Sequence, residues 1–452
     1  MPQFGNAVAR WLVAVIAGLM LAGAALAGSA LAAGRYEGVA SCAGSTCHGR
    51  AEGNGAVVRQ DELRLWQEPS ARGGAHSRTY AGLISPRGQR IATTLGLGSA
   101  GSAPACLGCH ATPPGARGDR FQISDGVGCE GCHGPASGWI ASHYAVGASH
   151  GGNVAGGMTA LDNPVVRAGV CLDCHLGSGA PGQFVTHAMM AAGHPRISFE
   201  LDLFSSLQQH WDVDADYAAR KAQNDGVRLW AVGQAEAVQR SLHLFGRGDL
   251  ANNGIFPEFT FYDCHSCHRG IDDNPERART FEINPARPIP FGQPPYNDEN
   301  IIMLSAVAAV LAPGQAAQFD AAARSFHAAM GKGRAEAVAA AKRLDAAAGA
   351  LGTAMAQGPG GGDTAFRVIA AIGSRAISPR FTDYAGSAQA VMAVDTLLNA
   401  LVREHRVTVG AAAGIRENIN RAYAAVASPA DYNPGQFRAA LGQAVRAIGV
   451  LR

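Results

Sequence analysis

Cysteine is absent from this chain outside five short stretches, and its ten cysteines fall into five pairs. No cysteine is left over for a stray disulfide or a lone reactive thiol. Lysine is nearly missing too, since only Lys221, Lys332 and Lys342 stand among 37 basic residues. That leaves little material for a lysine docking ring, and a net charge of +2 argues against a nucleic-acid partner. Aromatics make up only 7% while glycines number 58, which suits a loop-rich segment better than a self-sufficient core. At 452 residues there is length for two or three domains. Beyond the N-terminal segment no strongly apolar run reaches the length of a membrane span.

That N-terminal segment has Arg10, an apolar run from Trp11 to about Ala27, and small residues ending Ala30-Leu31-Ala32-Ala33. It reads as a secretory signal peptide over 1–32, cut after Ala32, with an uncleaved anchor as the alternative. The mature protein is expected to be soluble and periplasmic.

What the chain has is a repeated pentapeptide. Cys106-Leu-Gly-Cys109-His110, Cys129-Glu-Gly-Cys132-His133, Cys171-Leu-Asp-Cys174-His175 and Cys264-His-Ser-Cys267-His268 all follow C-x-x-C-H. In this motif the two sulfurs add across the vinyl groups of one haem and the histidine ligates its iron. A fifth pair, Cys42 and Cys47 before His48, has four intervening residues. Zinc or disulfides explain paired cysteines but not a histidine after every second one. The wide pair could still be a disulfide, although longer attachment loops occur in multihaem cytochromes. The expected cofactor is therefore haem c, five copies and at least four. Export agrees, because haem c is attached outside the cytoplasm.

Each six-coordinate iron needs a second axial ligand, usually His or Met. Of 15 histidines, ten do not follow a cysteine pair, enough for five distal positions. His76, in Gly-Gly-Ala-His-Ser-Arg-Thr-Tyr, starts a possible helix facing a haem. His143 and His150 follow the third motif at once. His187 and His194 stand two helical turns apart, on one face of a helix expected to end at or before His194, ahead of Pro195. His210 and His243 are further candidates. Met189 and Met190 read as packing residues, His265 as a solvent-edge residue, and His327 and His405 as ordinary helix residues. The second and third motifs, whose His110 and His133 are separated by the 22 Gly- and Pro-rich residues 111–132, should hold neighbouring haems.

The fold class expected is mostly α: a loop-rich multihaem domain over 33–270, then an Ala-rich helical bundle. A strong helical run lies near Leu229–Phe245. Pro285, Pro288, Pro290, Pro294 and Pro295 mark 271–298 as a linker or strap. The cysteine-free 299–452 has breakers at Pro313, Gly358–Gly362, Pro379 and Pro429–Pro434, predicting five to seven helices.

The 36–270 region resembles the cytochrome c-554 type multihaem family. That family includes the tetrahaem carrier taking electrons from hydroxylamine oxidoreductase in ammonia-oxidising bacteria. The resemblance rests on Gly126-Val-Gly-Cys-Glu-Gly-Cys-His-Gly-Pro135, the motif about twenty residues upstream, and the Ala-His76 segment. Ala-Gly-His194-Pro-Arg also looks like a stretch in larger relatives. It implies a helical, loop-rich fold, closely packed haems, electron transfer, and a distal role for His76. The wide first site, the fifth motif and the haem-free C-terminal half depart from it.

Two functions follow. One is an electron carrier passing electrons between redox partner proteins, with peripheral or no membrane contact. The other is an oxidoreductase acting on a small nitrogen or sulfur compound (hydroxylamine, nitrite, nitric oxide) at one open haem, with Arg196, Tyr144, Tyr262 or His265 assisting. No C-x-x-C-K occurs in the chain. A third class, a sensory or binding module docked through the bundle, stays open.

Overall fold

A computed structural model describes residues 34–54, 58–68, 72–221, 225–254, 256–268, 286–290, 292–378 and 383–452. The expected signal peptide and residues 271–285 of the expected linker lie outside them. The described chain is mostly α-helical; its β structure is one short antiparallel pair, Asn252–Asn253 with Phe256–Pro257, and two isolated bridges.

The N-terminal part is a run of short helices and turns, folded by polar anchors more than by apolar mass. Glu130, buried inside the third motif, accepts hydrogen bonds from the backbone N–H groups of Glu37 (2.8 Å), Gly38 (2.7 Å) and Ala136 (2.7 Å). One carboxylate thus pins the start of the part to the segment after His133. The Thr79 hydroxyl lies 2.9 Å from the His110 carbonyl and 3.1 Å from the Val127 N–H, so it ties the 79–84 helix to the second and third motifs. Two glycines around the third motif are required by geometry. Gly126 (φ 69°) and Gly134 (φ 83°) take left-handed conformations. A Cβ on Gly126 would lie 2.6 Å from the His76 carbonyl oxygen.

The expected helical run becomes the 21-residue helix Gly226–Gly246. Its small residues let other elements approach on several sides: a Cβ on Gly233 would sit 2.5 Å from Leu201 Cβ, and one on Gly352 would sit 2.7 Å from Ala235 Cβ. It packs on the helix Arg334–Gln357 and on Pro164–His175, the helix ending in the fourth motif. Val227, Trp230, Val238 and Leu242 belong to the same apolar core as Leu344, Leu351, Leu397 and Phe437. The core therefore crosses the boundary expected between 33–270 and 299–452, because this helix is buried on most of its sides and cannot be covered from one side.

Seven helices follow among the described residues of 299–452, from Glu299–Leu311 to Pro434–Val450. Pro313 and Pro434 each open a helix, where a missing N–H costs nothing. Tyr384–Arg403 is long and apolar enough to cross a membrane, yet 89% of that stretch is buried among its neighbours. It is the core helix of the bundle. Beneath it Arg287 is buried between Asp298 (2.6 Å) and Asp383 (3.1 Å), and His327 Nε2 lies 3.0 Å from Asp298.

Candidate functional site

Three motifs end helices: Pro104–His110, Cys129–His133 and Pro164–His175. In a helix, residues i, i+3 and i+4 share a face, so both sulfurs and the imidazole project to one side. The fifth motif is a 3₁₀ turn over Cys264–Ser266, closed by the His268 N–H on the Cys264 carbonyl at 2.8 Å. The wide site closes in the same way, the His48 N–H donating to the Cys42 carbonyl at 3.1 Å. Its two extra residues loop out, and the ends of the motif meet as they do in the shorter turn.

Each of the five motif histidines faces a second histidine. The ring centroids of His48 and His143 are 6.1 Å apart, His110 and His194 6.1 Å, and His133 and His210 6.4 Å. His175 and His76 stand at 6.2 Å, as do His268 and His187. An imidazole nitrogen binds a first-row metal at about 2.0–2.1 Å and lies about 1.1 Å from its ring centre. Two rings on opposite sides of one metal would therefore have centres about 6.2–6.4 Å apart, which the five pairs, at 6.1–6.4 Å, match to within 0.1 Å. Among the described residues no group of three or more His, Cys, Asp or Glu converges to hold a metal ion. The pairs suit a group that brings its own equatorial ligands, as a porphyrin does.

Hydrogen bonds at the other ring nitrogen fix several of these rings. Nδ1 of His48 meets Glu62 Oε2 at 2.9 Å, that of His110 the Thr79 carbonyl at 3.0 Å, that of His194 the Pro195 carbonyl at 2.8 Å, and that of His210 the Gln208 carbonyl at 3.1 Å. Carbonyl and carboxylate oxygens only accept, so Nδ1 carries the proton and Nε2 keeps its lone pair. Burial, together with neighbouring histidines, pushes His133 and His175 down to about 4. Both rings stay neutral, the form that binds metal.

The sites adjoin one another. The Cys42 sulfur lies beside that of Cys129, bringing the first motif up to the third, and Cys109 lies beside Cys174, bringing the second up to the fourth. Cys132 of the third motif lies within electrostatic reach of Cys171 and Cys174 of the fourth. Arg196, two residues after His194, donates to Cys264 Sγ at 3.1 Å and reaches Glu299 at 3.1 Å. It thereby links the second site to the fifth motif and both to the bundle. A half-open recess lies beside Cys174 and His175, lined by Leu176, Leu244 and Phe261 and also by Arg196, Asn297 and Glu299. His175 Nδ1 is buried there without a partner.

The positions of several candidates differ from expectation. The 187–194 helix stops at Ala191, and Gly193 turns the chain with φ 109°. His187 and His194 consequently serve two different pairs instead of one face. His150 joins no motif histidine; its Nε2 contacts Asp162 at 3.0 Å, and the surrounding segment is exposed. His210, from the isolated Gln-Gln-His-Trp stretch, stands opposite His133. Its only sequence signal is a lone histidine in a motif-rich chain. His265 is half-buried, its Nδ1 donating to the Pro429 carbonyl at 2.7 Å and its ring packed edge-on to Tyr432 at 5.1 Å. His243 and His405 are exposed, and His327 pairs with Asp298.

Residues 41–134 match the sequence profile of the family described as cytochrome c554 and c-prime. The matched segment holds the first three motifs and His76. No curated protein and no solved structure matches the chain.

Proposed function

With residues 41–134 matching the family described as cytochrome c554 and c-prime, we propose that the protein is a periplasmic electron carrier with five covalently bound haems c. The observation that supports this most is the five-fold pairing of motif histidine with second histidine. A haem held between both imidazoles of such a pair would have no coordination position left for a substrate, which favours electron transfer over chemistry on a small nitrogen or sulfur compound.

In this reading Cys42 and Cys47, Cys106 and Cys109, Cys129 and Cys132, Cys171 and Cys174, and Cys264 and Cys267 each tether one haem. His48, His110, His133, His175 and His268 are proximal ligands; His143, His194, His210, His76 and His187 are distal. The iron supplies one-electron chemistry when bound. The chain fixes both imidazoles, sets their basicity through the Nδ1 partners, and holds neighbouring sites in contact so that electrons pass between partner proteins. The bundle anchors the fifth site through Arg196, Glu299 and Pro429. The redox partners are other proteins that dock near the outermost sites.

Intact mass and electron paramagnetic resonance of the purified holoprotein test the proposal. Five haems, all low-spin and unmoved by nitrite, hydroxylamine or nitric oxide, are expected. A high-spin iron that responds to one of those ligands would replace the carrier by an enzyme.

A further inference from the structure

Glu62 distinguishes the wide site from the other four. Its Oε2 lies 2.9 Å from His48 Nδ1, and its Oε1 accepts the Gln60 N–H at 3.2 Å. The carboxylate is only 13% exposed, and a second bond, Leu63 N–H to the His48 carbonyl at 3.0 Å, clamps its helix to the motif. The remaining contacts at Nδ1 of the paired rings are neutral: backbone carbonyls at His110, His194 and His210, and the Asn153 amide at His143 (3.2 Å). His175 Nδ1 has no partner. Among the described residues, His48 alone of the ten paired rings has a carboxylate at Nδ1.

The difference has an electrochemical consequence. A hydrogen bond to a carboxylate is charge-assisted and pulls the Nδ1 proton away from the ring, making Nε2 a stronger donor. A stronger donor, with a negative charge close behind it, stabilises ferric over ferrous iron and lowers the potential. A neutral carbonyl does this weakly, and a bare Nδ1 does not do it. The same site is the outer one of its pair, since His143 is exposed and His48 is 34% exposed whereas His133 and His175 lie deeper.

We propose that Glu62 is a positioning residue that makes the wide-spaced site the lowest-potential haem of the five, the point at which a strongly reducing donor protein delivers electrons. This rests on the five-haem carrier reading. The transfer balances simply: the donor loses one electron, the site-one iron goes from ferric to ferrous, and no bond is made or broken in the chain.

The test is a potentiometric titration of the holoprotein followed by optical and paramagnetic resonance spectra. His143→Met changes one axial ligand and so identifies which component belongs to site one. Glu62→Gln keeps the shape and removes the charge; Glu62→Asp keeps the charge. We expect the site-one component to be the lowest in the wild type, to move upward in Glu62→Gln with the other four unmoved, and to stay lower in Glu62→Asp than in Glu62→Gln. A site-one component that is not the lowest, or that stays put in Glu62→Gln, overturns the inference while leaving the carrier reading intact. An intact mass one haem short, with Cys42 and Cys47 unmodified, removes the five-haem reading and the inference with it.

Discussion

The His210 ring stands 6.4 Å from that of His133 and perpendicular to it, although the two are distant in sequence. Helices and turns between them have to be in place before the pair exists. His150, much nearer to His133 along the chain, is directed instead to Asp162.

This pairing gives a direct mutational contrast. If the proposed five-haem carrier holds, His210→Ala removes the second ring from one site, and one haem should turn high-spin and bind carbon monoxide. His150→Ala should leave the spectrum unchanged, since only an exposed ion pair is lost, worth about 0–1 kcal/mol. Paramagnetic resonance of the two variants side by side decides it. Equal effects would mean that His150 reaches an iron after all.

The buried ion cluster of the bundle sets the acid stability. Burial alone would raise the Asp298 carboxyl, but Arg287 and His327 beside it outweigh that and hold it below its ordinary 3.8. A carboxyl depressed by folding adds stability above its unfolded pKa, and that stability is lost as pH falls through the lower folded value. Chemical unfolding should therefore show a pH-dependent loss in the wild type below about pH 4. Asp298→Asn should cost about 3–5 kcal/mol at pH 7 by leaving Arg287 short of a partner, with the gap to wild type narrowing in acid. A gap that stays constant with pH would contradict this account.

Glu130 holds the N-terminal part together at one point. Glu130→Ala leaves the N–H groups of Glu37, Gly38 and Ala136 without acceptors, each costing about 1–3 kcal/mol where water cannot replace the bond. Hydrogen exchange should speed up at those three amides, and the midpoint of thermal unfolding should drop. Unchanged exchange there would show that another anchor dominates.

The legible part of this protein was local chemistry. Each C-x-x-C-H stretch carries its meaning within five residues, because the sulfurs and the imidazole must meet one haem from one short turn. The helical bundle was legible for a similar reason: Pro313, Pro434 and the Gly358–Gly362 cluster interrupt Ala-rich periodicity where helices in fact begin and end. The resemblance to the cytochrome c-554 group was carried by the same local residues and holds over 41–134.

The partnering was not legible in this way. A histidine outside a motif has the same sequence appearance whether it meets an iron, as proposed for His210, or an aspartate, as His150 does. Even the helical spacing of His187 and His194 misleads, because Gly193 turns the chain between them and sends the rings to His268 and His110. Nor does any local pattern announce that Glu62 meets His48 or that Trp230 lies in the core of the bundle. The sequence by itself determined the attachment chemistry and the helices, since these depend on neighbours along the chain. Only the tertiary structure decided which rings pair and which sites touch, because those distances arise from the packing of segments far apart in sequence.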